Sequence, residues 1–292
     1  MALQFSPEVL DLRPWSVSKA GVALLCSRQF RFKYRDKFPE HKVVQADASV
    51  HGVVLHEILE HCSKDGGLLL NVVSDEVIDH HKVGHEEALK IRAKLPVVAD
   101  YLDRIRAFKL KNRVVREFIE AQFAIRPDFT ATTFDDKTAI LRGVVDHGLL
   151  LENGLLIVID HKSGKRKPVQ EHEAQFSAYK LMAAAQLPEI IGIQCAIHYI
   201  GNPELQWGIG PTSKTPAPWL RKDIEKTLRP WLVHWLNART PALQEATQDP
   251  PPAKTGWPCD YCGYVSRCPE GLVQVQSRRA KRGEPPIDLE NL

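Results

Sequence analysis

Two apolar stretches separated by only three residues constrain the fold of this 292-residue chain more than any other feature. Residues 138–151 and 155–162 are rich in Ile, Leu and Val, a composition that favours β-strands. The intervening Glu152-Asn153-Gly154 has the composition of a hairpin turn. We therefore predict two adjacent antiparallel strands in the middle of the chain.

The length of this turn decides which side chains meet across the hairpin. Alternate residues of a strand share a face, so Asp160 and Lys162 point the same way. If all three turn residues form the loop, with Gly154 at positive φ, Asp146 lies opposite Asp160. A two-residue loop slips the register by one and turns Asp146 to the other face. The three-residue loop would bring two carboxylates and an ammonium group together, and the chemistry of such a group therefore predicts this loop.

The rest of the chain contains patterns of both helix and strand, so we expect an α/β protein. A proline, Pro230, predicts a kink in the last long helix. Helices are predicted over residues 16–36, 48–62, 171–186 and 218–238, with helical segments continuing to about residue 113, and further strands over residues 115–125 and 190–199.

Composition and motifs exclude several protein classes. No run of about 18 apolar residues occurs, so we expect no membrane span. Residues 1–14 have no apolar stretch of signal-peptide type, and we expect a cytoplasmic protein. The chain has no Walker phosphate loop, so we expect no ATP site in it.

Basic residues are clustered, although the net charge of +3 does not by itself indicate nucleic-acid binding. Such clusters suit a phosphate backbone, but they also occur on ordinary solvated helix faces. The three clusters are Arg28, Arg31, Lys33, Arg35 and Lys37; Arg104, Arg106, Lys109, Lys111, Arg113 and Arg116; and Lys162, Lys165, Arg166 and Lys167.

Asp146, Asp160 and Lys162 together would form a hydrolytic site. Two close carboxylates repel, and a hard divalent cation such as Mg²⁺ or Mn²⁺ relieves that repulsion. Such a cation lowers the pKa of water and offsets negative charge on a phosphate oxygen. Lys162 would orient or deprotonate the water and stabilise the transition state. The D-x-K pattern alone is also compatible with a surface hairpin whose Asp and Lys form exposed ion pairs.

Three further residues extend this pattern along the chain. His56 lies in the second predicted helix, in a G-x-x-x-H pattern that begins at Gly52. Gln175 and Tyr179 are four residues apart in the helix after the lysine, so they share a face. Taken singly, each has a simpler explanation. His56 would be a helix histidine bonded to Glu60, Gln175 a surface amide, and Tyr179 an aromatic residue of the core.

The ordered set G-x-x-x-H, G-x-x-D, D-x-K and Q-x-x-x-Y resembles the RecB-like branch of the PD-(D/E)xK nuclease superfamily over about residues 16–268. This branch includes the CRISPR-associated adaptation exonucleases and the AddB-type nuclease domains of bacterial end-resection machines. The resemblance implies a mixed central sheet flanked by helices. The implied metal ligands are His56, Asp146, Asp160 and the backbone carbonyl of His161. The implied catalytic residues are Asp146, Asp160, Lys162, Gln175 and Tyr179, the last two positioning DNA or the lysine.

The chain departs from many relatives at two positions of the motif. His161 stands where many have an aromatic residue such as Tyr, and Ser163 where many have Thr. Neither change removes a required group. Because an imidazole ligand is softer than a carboxylate, we expect Mn²⁺ to support activity better than Mg²⁺.

Four cysteines predict a metal cluster. Cys259, Cys262 and Cys268 form C-x2-C-x5-C, and Cys26 lies near the N-terminus. A structural zinc site usually offers two pairs of ligands, whereas three local thiolates and a distant fourth suit a 4Fe–4S cluster. Zinc and uncoordinated thiols stay alternatives. Iron–sulfur members of the RecB-like family are similar, with the N-terminal cysteine in a C-x3-F-x3-Y pattern that residues 26–34 match. The resemblance implies a cluster that joins the N- and C-terminal segments.

The remaining potential ligands have simpler interpretations. Cys62 and Cys195 stand alone, and we interpret them as small buried apolar residues. The histidine-rich residues 80–86 contain potential metal ligands, but we interpret them as a solvated loop.

We therefore predict a single nuclease domain over residues 1–292, with its core at about 16–270 and a flexible, basic, proline-containing tail at 271–292. Its function would be that of a metal-dependent DNA exonuclease acting on single strands or duplex ends, in recombination, repair or DNA processing. The expected partners are DNA and a helicase or recombination protein. A non-catalytic DNA-binding or helicase-accessory protein with the same fold is the alternative, and loss of Asp146, Asp160 or Lys162 would be its signature. A zinc-stabilised protein unrelated to nucleic acid is a second alternative.

Overall fold

The computed structural model describes residues 4–40, 47–64, 70–202, 204–211 and 215–287. Contacts within the chain group into two compact units. The terminal unit consists of Met1–Ala46 and Trp231–Leu292, and the sheet unit consists of Asp47–Pro230. The single nuclease domain with its core at 16–270 stays a prediction.

The described residues form both helices and strands, as expected for an α/β protein, with most strands in the middle of the chain. The helices are α1 (Pro7–Asp11), α2 (Val17–Leu25), α3 (Ser27–Phe30), α4 (Asp47–Lys64), α5 (Leu70–His80), α6 (His85–Arg92), α7 (Leu95–Lys111), α8 (Glu173–Gln186), α9 (Arg221–Asn237), α10 (Thr240–Glu245) and α11 (Pro269–Lys281). The strands are β1 (Val114–Ile125), β2 (Ala131–Thr132), β3 (Leu141–Leu151), β4 (Leu155–Lys162), β5 (Gly192–Tyr199), β6 (Leu205–Trp207) and β7 (Trp219–Leu220). Within these residues, no helix is long and apolar enough to cross a membrane.

The strands of the sheet unit form one mixed sheet in the order β2-β1-β3-β4-β5-β6, with β7 also paired to β5. β3 is antiparallel to β1 and β4, whereas β4 and β5 are parallel. Parallel neighbours need a crossover connection, which α8 supplies while packing on β1 and β3. Helices α4 to α7 share a core with Leu149, Ile157 and Ile159 of the sheet. The prediction of a mixed sheet flanked by helices is confirmed.

The hairpin β3–β4 has the three-residue loop that we predicted. Its register pairs His147 with Ile159, and Gly154 has a φ of +79°, a conformation that favours glycine. The ladder ends at this pair. Beyond it, the carboxylate of Asp146 accepts the backbone N–H of His161 at 2.7 Å. A hydrogen bond to a side chain thus replaces a backbone hydrogen bond between β3 and β4, and these two strands separate where Asp146 and Asp160 lie.

The first predicted helix is interrupted at Cys26. Ser16 caps α2 by accepting the N–H of Lys19, as expected for a serine before a helix. Cys26 has extended backbone angles, φ −161° and ψ 117°, and separates α2 from α3. A short π-helix, Arg31–Arg35, continues the segment. The prediction of one helix over 16–36 is therefore right in outline and wrong at Cys26.

The C-terminal segment includes a helix. Helix α11 begins directly after Cys268, whose sulfur accepts the N–H of Gly271 at 3.4 Å. Val275 on this helix is buried. The flexible tail over residues 271–292 stays a prediction, and residues 288–292 lie outside the described part of the chain.

Candidate functional site

Asp160 is the buried centre of the candidate site, with 1% of its surface exposed. Its Oδ1 accepts hydrogen bonds from Gln175 Nε2 at 2.6 Å and from Tyr179 Oη at 2.8 Å. Gln175 also donates to the Tyr179 hydroxyl at 2.8 Å. Helix α8 presents both side chains because they are one turn apart. The resemblance implied that they position DNA or the lysine, but their contacts here are with the Asp160 carboxylate.

The second oxygen of Asp160 faces Lys162. The Nζ of Lys162 lies 2.7 Å from Asp160 Oδ2, so the two side chains share a face as the strand periodicity predicts. The approach is that of an ion pair and not of a directed hydrogen bond, because Oδ2 has no hydrogen-bond donor within the described residues. A buried anionic oxygen without a donor is uncommon in proteins, and it fits a position where a cation binds.

His56 and Asp146 lie next to this pair. His56 Nδ1 is 3.8 Å from Asp146 Oδ2. The glycine of the G-x-x-x-H pattern explains how α4 comes so near to the end of β4, since a Cβ at Gly52 would lie 2.8 Å from Ser163 Oγ. Gly52 therefore permits the close approach that carries His56 to the aspartates.

Glu120 is a candidate ligand that sequence analysis missed. Ligand atoms of His56, Glu120 and Asp146 lie within 4.8 Å of one another, in a group that does not include Asp160. Glu120 lies opposite Asp146, because its neighbours in β1 pair with the neighbours of Asp146 in β3. Its φ of +50° is strained for a residue with a side chain, and such strain is concentrated at functional sites. The available signal was weak, because β1 carries two carboxylates, Glu117 and Glu120, and the sequence does not show that strand's partner.

Burial and carboxylate repulsion control protonation at the site. Burial, followed by the charge of Asp160, raises the pKa of Asp146 to about 8. Burial and the charge of Glu60 raise the pKa of Glu120. Burial lowers the pKa of His56, which favours the neutral imidazole that binds metals. A divalent cation would allow the carboxylates to ionise together.

An open groove of about 730 Å³ exposes His56 and Glu120 of this site. Such a groove can admit an extended substrate. It is lined by Gly52, Val53, His56, Glu57, Glu60, His61, Glu120 and Ser163.

The imidazole of His161 points away from the aspartates. Its Nδ1 lies 3.0 Å from Nδ1 of His198, and the ring of Tyr101 stacks on His198 at a centroid distance of 4.1 Å. The backbone of His161 donates to Asp146 and interacts with the imidazole of His56, and the two imidazole rings meet edge to face with centroids 6.0 Å apart. This agrees with a backbone role for His161 and explains why its side chain can differ from that of relatives.

Ion pairing neutralises most of the first two basic clusters. The pairs are Arg28–Glu270, Arg31–Asp36, Lys33–Glu40, Arg104–Asp100, Arg106–Asp103, Lys109–Glu117, Arg113–Glu152 and Arg116–Glu189. In the third cluster, Lys165 and Arg166 are exposed and have no acidic partner among the described residues. They follow Lys162 after Ser163 and Gly164 and are the Lys and Arg side chains nearest to it in the sequence.

The four cysteines predicted to hold a cluster line one cavity in the terminal unit. Burial raises the pKa of the Cys262 thiol to about 11, and the nearby Cys26, Cys259 and Cys268 add to the shift. Arg28 Nη1 lies 3.5 Å from the sulfur of Cys268. The chain thus brings together thiols from its two ends, and a bound cation would favour their ionisation.

The other two cysteines, Cys62 and Cys195, are each 1% exposed, as predicted. Burial raises the pKa of the Cys195 thiol to about 12, so it stays protonated at neutral pH. A buried neutral thiol packs as a small apolar group.

Comparison with known proteins identifies the family. A search of curated proteins finds no match. The model of the PD-(D/E)XK nuclease superfamily matches residues 14–269, which include the two aspartates, the lysine and the histidine described above. This superfamily implies metal-dependent nuclease activity, with a divalent ion such as Mg²⁺ or Mn²⁺. The chain belongs to the PD-(D/E)XK nuclease superfamily.

Proposed function

We propose that this chain is a DNA exonuclease of the RecB-like iron–sulfur branch, acting on single strands or duplex ends. The observation that carries the proposal is the arrangement of Asp160. One of its oxygens is fixed by Gln175 and Tyr179, and the other lies beside Lys162 without a hydrogen-bond donor among the described residues. A purely structural aspartate at this depth would have donors for both oxygens.

The donor set fits a divalent cation. His56, Asp146, Asp160 and the carbonyl of His161 would hold Mg²⁺ or Mn²⁺, with Glu120 as a further ligand. When bound, the cation would polarise the phosphate and lower the pKa of the attacking water. The raised pKa of Asp146 supports this assignment, because a nearby positive charge would stabilise its ionised form.

The side chains around Asp160 would perform separate tasks. Gln175 and Tyr179 hold the carboxylate in one orientation. Lys162, one-third exposed, would orient the attacking water and donate a hydrogen bond to a phosphate oxygen. Because Gln175 and Tyr179 keep Asp160 in place, Lys162 can turn toward the substrate without disturbing the metal ligand.

Lys165 and Arg166 support DNA as the substrate. Both are exposed, lack acidic partners among the described residues and adjoin Lys162, so they suit contact with phosphates next to the scissile bond. Exonuclease action, a role in recombination, repair or DNA processing, and a helicase or recombination partner rest on the motif resemblance and form part of the same proposal.

We further propose that the cysteines hold a structural 4Fe–4S cluster. Tetrahedral zinc with bonds of about 2.3 Å would hold its thiolates roughly 4 Å apart. Three thiols near the C-terminus and a fourth from near the N-terminus line one cavity, a ligand set that favours a cluster over a single zinc ion. A broad absorption band near about 400 nm in anaerobically purified protein would support the cluster, and a colourless zinc-containing protein would contradict it.

Digestion of end-labelled single-stranded, duplex and circular DNA, with Mg²⁺ and Mn²⁺ in turn, tests the nuclease proposal. We expect nucleotides to be released from ends while circular DNA stays intact, with Mn²⁺ at least as effective as Mg²⁺. Cleavage of circles would replace the exonuclease assignment with an endonuclease. Binding to DNA without cleavage under either metal would support the non-catalytic alternative.

A further inference from the structure

A second group of potential metal ligands lies in the sheet unit, apart from the catalytic residues. Glu57 is on α4, His80 is the last residue of α5, and His81 follows it. Their ligand atoms lie within 4.8 Å of one another. His81 Nε2 is 2.7 Å from the Glu57 carboxylate, and the two imidazoles meet edge to face with centroids 5.2 Å apart.

The elements that carry these ligands are fixed by the core. Ile58, Val77 and Ile78, which adjoin the ligands in sequence, are buried in the core that α4 and α5 share. The end of α5 is closed by two backbone bonds, from His81 N to Val77 O at 3.1 Å and from Val83 N to Ile78 O at 3.2 Å. The ligands are therefore held in place before any ion binds.

Within the residues 80–86 that we interpreted as a solvated loop, His80 is the exposed last residue of α5 and His81 lies in the turn that follows. Two imidazoles and one carboxylate, with a coordination position left for water, are typical of Zn²⁺ and related ions. Mg²⁺ and Ca²⁺ prefer sites made only of oxygen ligands. An ordinary ion pair would account for His81 and Glu57, but not for the approach of His80.

We propose that Glu57, His80 and His81 bind a divalent transition-metal ion of the Zn²⁺ class, at a site separate from the catalytic ligands. Glu57 also lines the open groove, so the ion would lie at the groove wall. A bound ion would neutralise Glu57 and add positive charge to a wall that otherwise includes Glu60 and Glu120. The site requires no cleavage activity, so it stands independently of the proposed exonuclease function.

Calorimetric titration of the full chain with Zn²⁺, in excess Mg²⁺, tests the site. Mg²⁺ occupies carboxylate sites but competes poorly for imidazole. His80→Ala removes an exposed ligand without touching the core, and His85→Ala is the matched control, because His85 starts α6 outside the ligand group. We expect His85→Ala to bind Zn²⁺ like the wild type, and His80→Ala to lose one binding event or at least about tenfold in affinity.

The thiols of the cysteine cavity would also bind soft metals, so a second measurement separates the two sites. Co²⁺ bound to histidine and carboxylate gives weak visible bands, whereas thiolate ligation adds strong near-ultraviolet absorption. We expect His81→Ala and Glu57→Gln to weaken the visible bands, to which His56 and its carboxylates also contribute, and to leave the thiolate absorption unchanged. If His80→Ala, His81→Ala and His85→Ala all bind Zn²⁺ and Co²⁺ like the wild type, the proposal is overturned. DNA cleavage is not measured here, so either result leaves the nuclease proposal to its own test.

Discussion

The two oxygens of Asp160 have different surroundings, and this difference organises the residues near it. Oδ1 is held by Gln175 and Tyr179, one helical turn apart on α8. Oδ2 lies 2.7 Å from the ammonium group of Lys162. A carboxylate fixed through one oxygen keeps the other in a constant direction, which is what a catalytic metal ligand requires.

Asp160→Asn should abolish cleavage with either metal, by at least about a hundredfold, because the change removes a ligand and its charge. The amide fills the same space. Its carbonyl oxygen can still accept from Gln175 and Tyr179, so we expect the variant to stay folded although it loses the ion pair with Lys162. Cleavage assays, thermal unfolding and metal-free DNA binding would measure these effects. Near-normal cleavage by the variant would show that Asp160 is not catalytic.

Tyr179→Phe tests the hydroxyl that contacts Asp160. The variant loses one of the two donors to a buried carboxylate, while Gln175 keeps the other. We expect the free energy of unfolding to fall by about 1.5 kcal/mol, the low end for a hydrogen bond to a charged group. Cleavage should fall as well, since Asp160 Oδ2 would no longer be held in one direction. Reduced stability with unchanged cleavage would mean that Tyr179 acts only in packing.

Glu120→Gln tests the ligand that the motifs do not include. We expect Mn²⁺ affinity, measured by electron paramagnetic resonance, to fall at least about tenfold. Glu60→Gln is the matched control, because Glu60 lines the same groove but pairs with Lys64 at 2.5 Å and lies outside the ligand group. Equal losses of affinity in the two variants would mean that only the charge of the groove matters.

The sequence predicted the motif residues of the site but not Glu120, for a physical reason. Asp146, Asp160 and Lys162 meet through a local turn, whose length and glycine set the register. Glu120 reaches the same place through the pairing of β1 with β3, across a long connection. Neither the alternation of apolar and polar residues nor the composition of a turn specifies the register of β1 against β3. The position of Glu120 therefore became visible only in the fold.

At the scale of single elements, local sequence predicted where strands and helices lie better than where they begin and end. We expected the first hairpin strand to begin at Thr138, but β3 begins at Leu141. Asp136 accepts the N–H of Thr138 at 2.8 Å and its hydroxyl at 2.6 Å, so this turn replaces the first ladder bonds. The break at Cys26 was also not predicted, because the cysteines nearby come from the other end of the chain.

The contact of α7 with the sheet gives the fold a dependence on pH. Burial lowers the pKa of His198, under the ring of Tyr101, to about 3. In the unfolded chain the pKa would be about 6.5. Between these values the unfolded chain binds the proton more readily. Neutral His198 therefore contributes fully to the free energy of unfolding above about pH 6.5. This contribution is lost as the pH falls, by up to about 1.4 kcal/mol per pH unit.

His198→Gln should remove this pH-dependent contribution to the free energy of unfolding, while the other histidines keep their own contributions. We expect the difference in unfolding free energy between wild type and variant to change by about 1.4 kcal/mol between about pH 6 and pH 5. Urea unfolding at several pH values measures it. A difference that stays constant with pH would show that His198 is protonated equally in both states.

At the scale of the whole chain, its two ends meet in the terminal unit. Ser6 N donates to Asn237 Oδ1 at 2.9 Å, and Arg28 pairs with Glu270 while donating to Pro251 O at 2.8 Å. Periodicity is a local property and gave no sign of these contacts. The spacing of the cysteines did indicate that the two ends meet, because an incomplete ligand set near one end requires a ligand from elsewhere in the chain.

Cys26→Ala tests whether a metal cluster joins these ends. Binding free energy at a structural metal is largely folding free energy, so the variant should release iron and unfold at a lower temperature. DNA cleavage should decline as a consequence of lost structure. Cys195→Ala is the matched control, since its buried, protonated thiol lies outside the cavity; it should keep its iron and lose about 1 kcal/mol. If Cys26→Ala keeps full iron and Cys195→Ala loses it, Cys26 is not the fourth ligand.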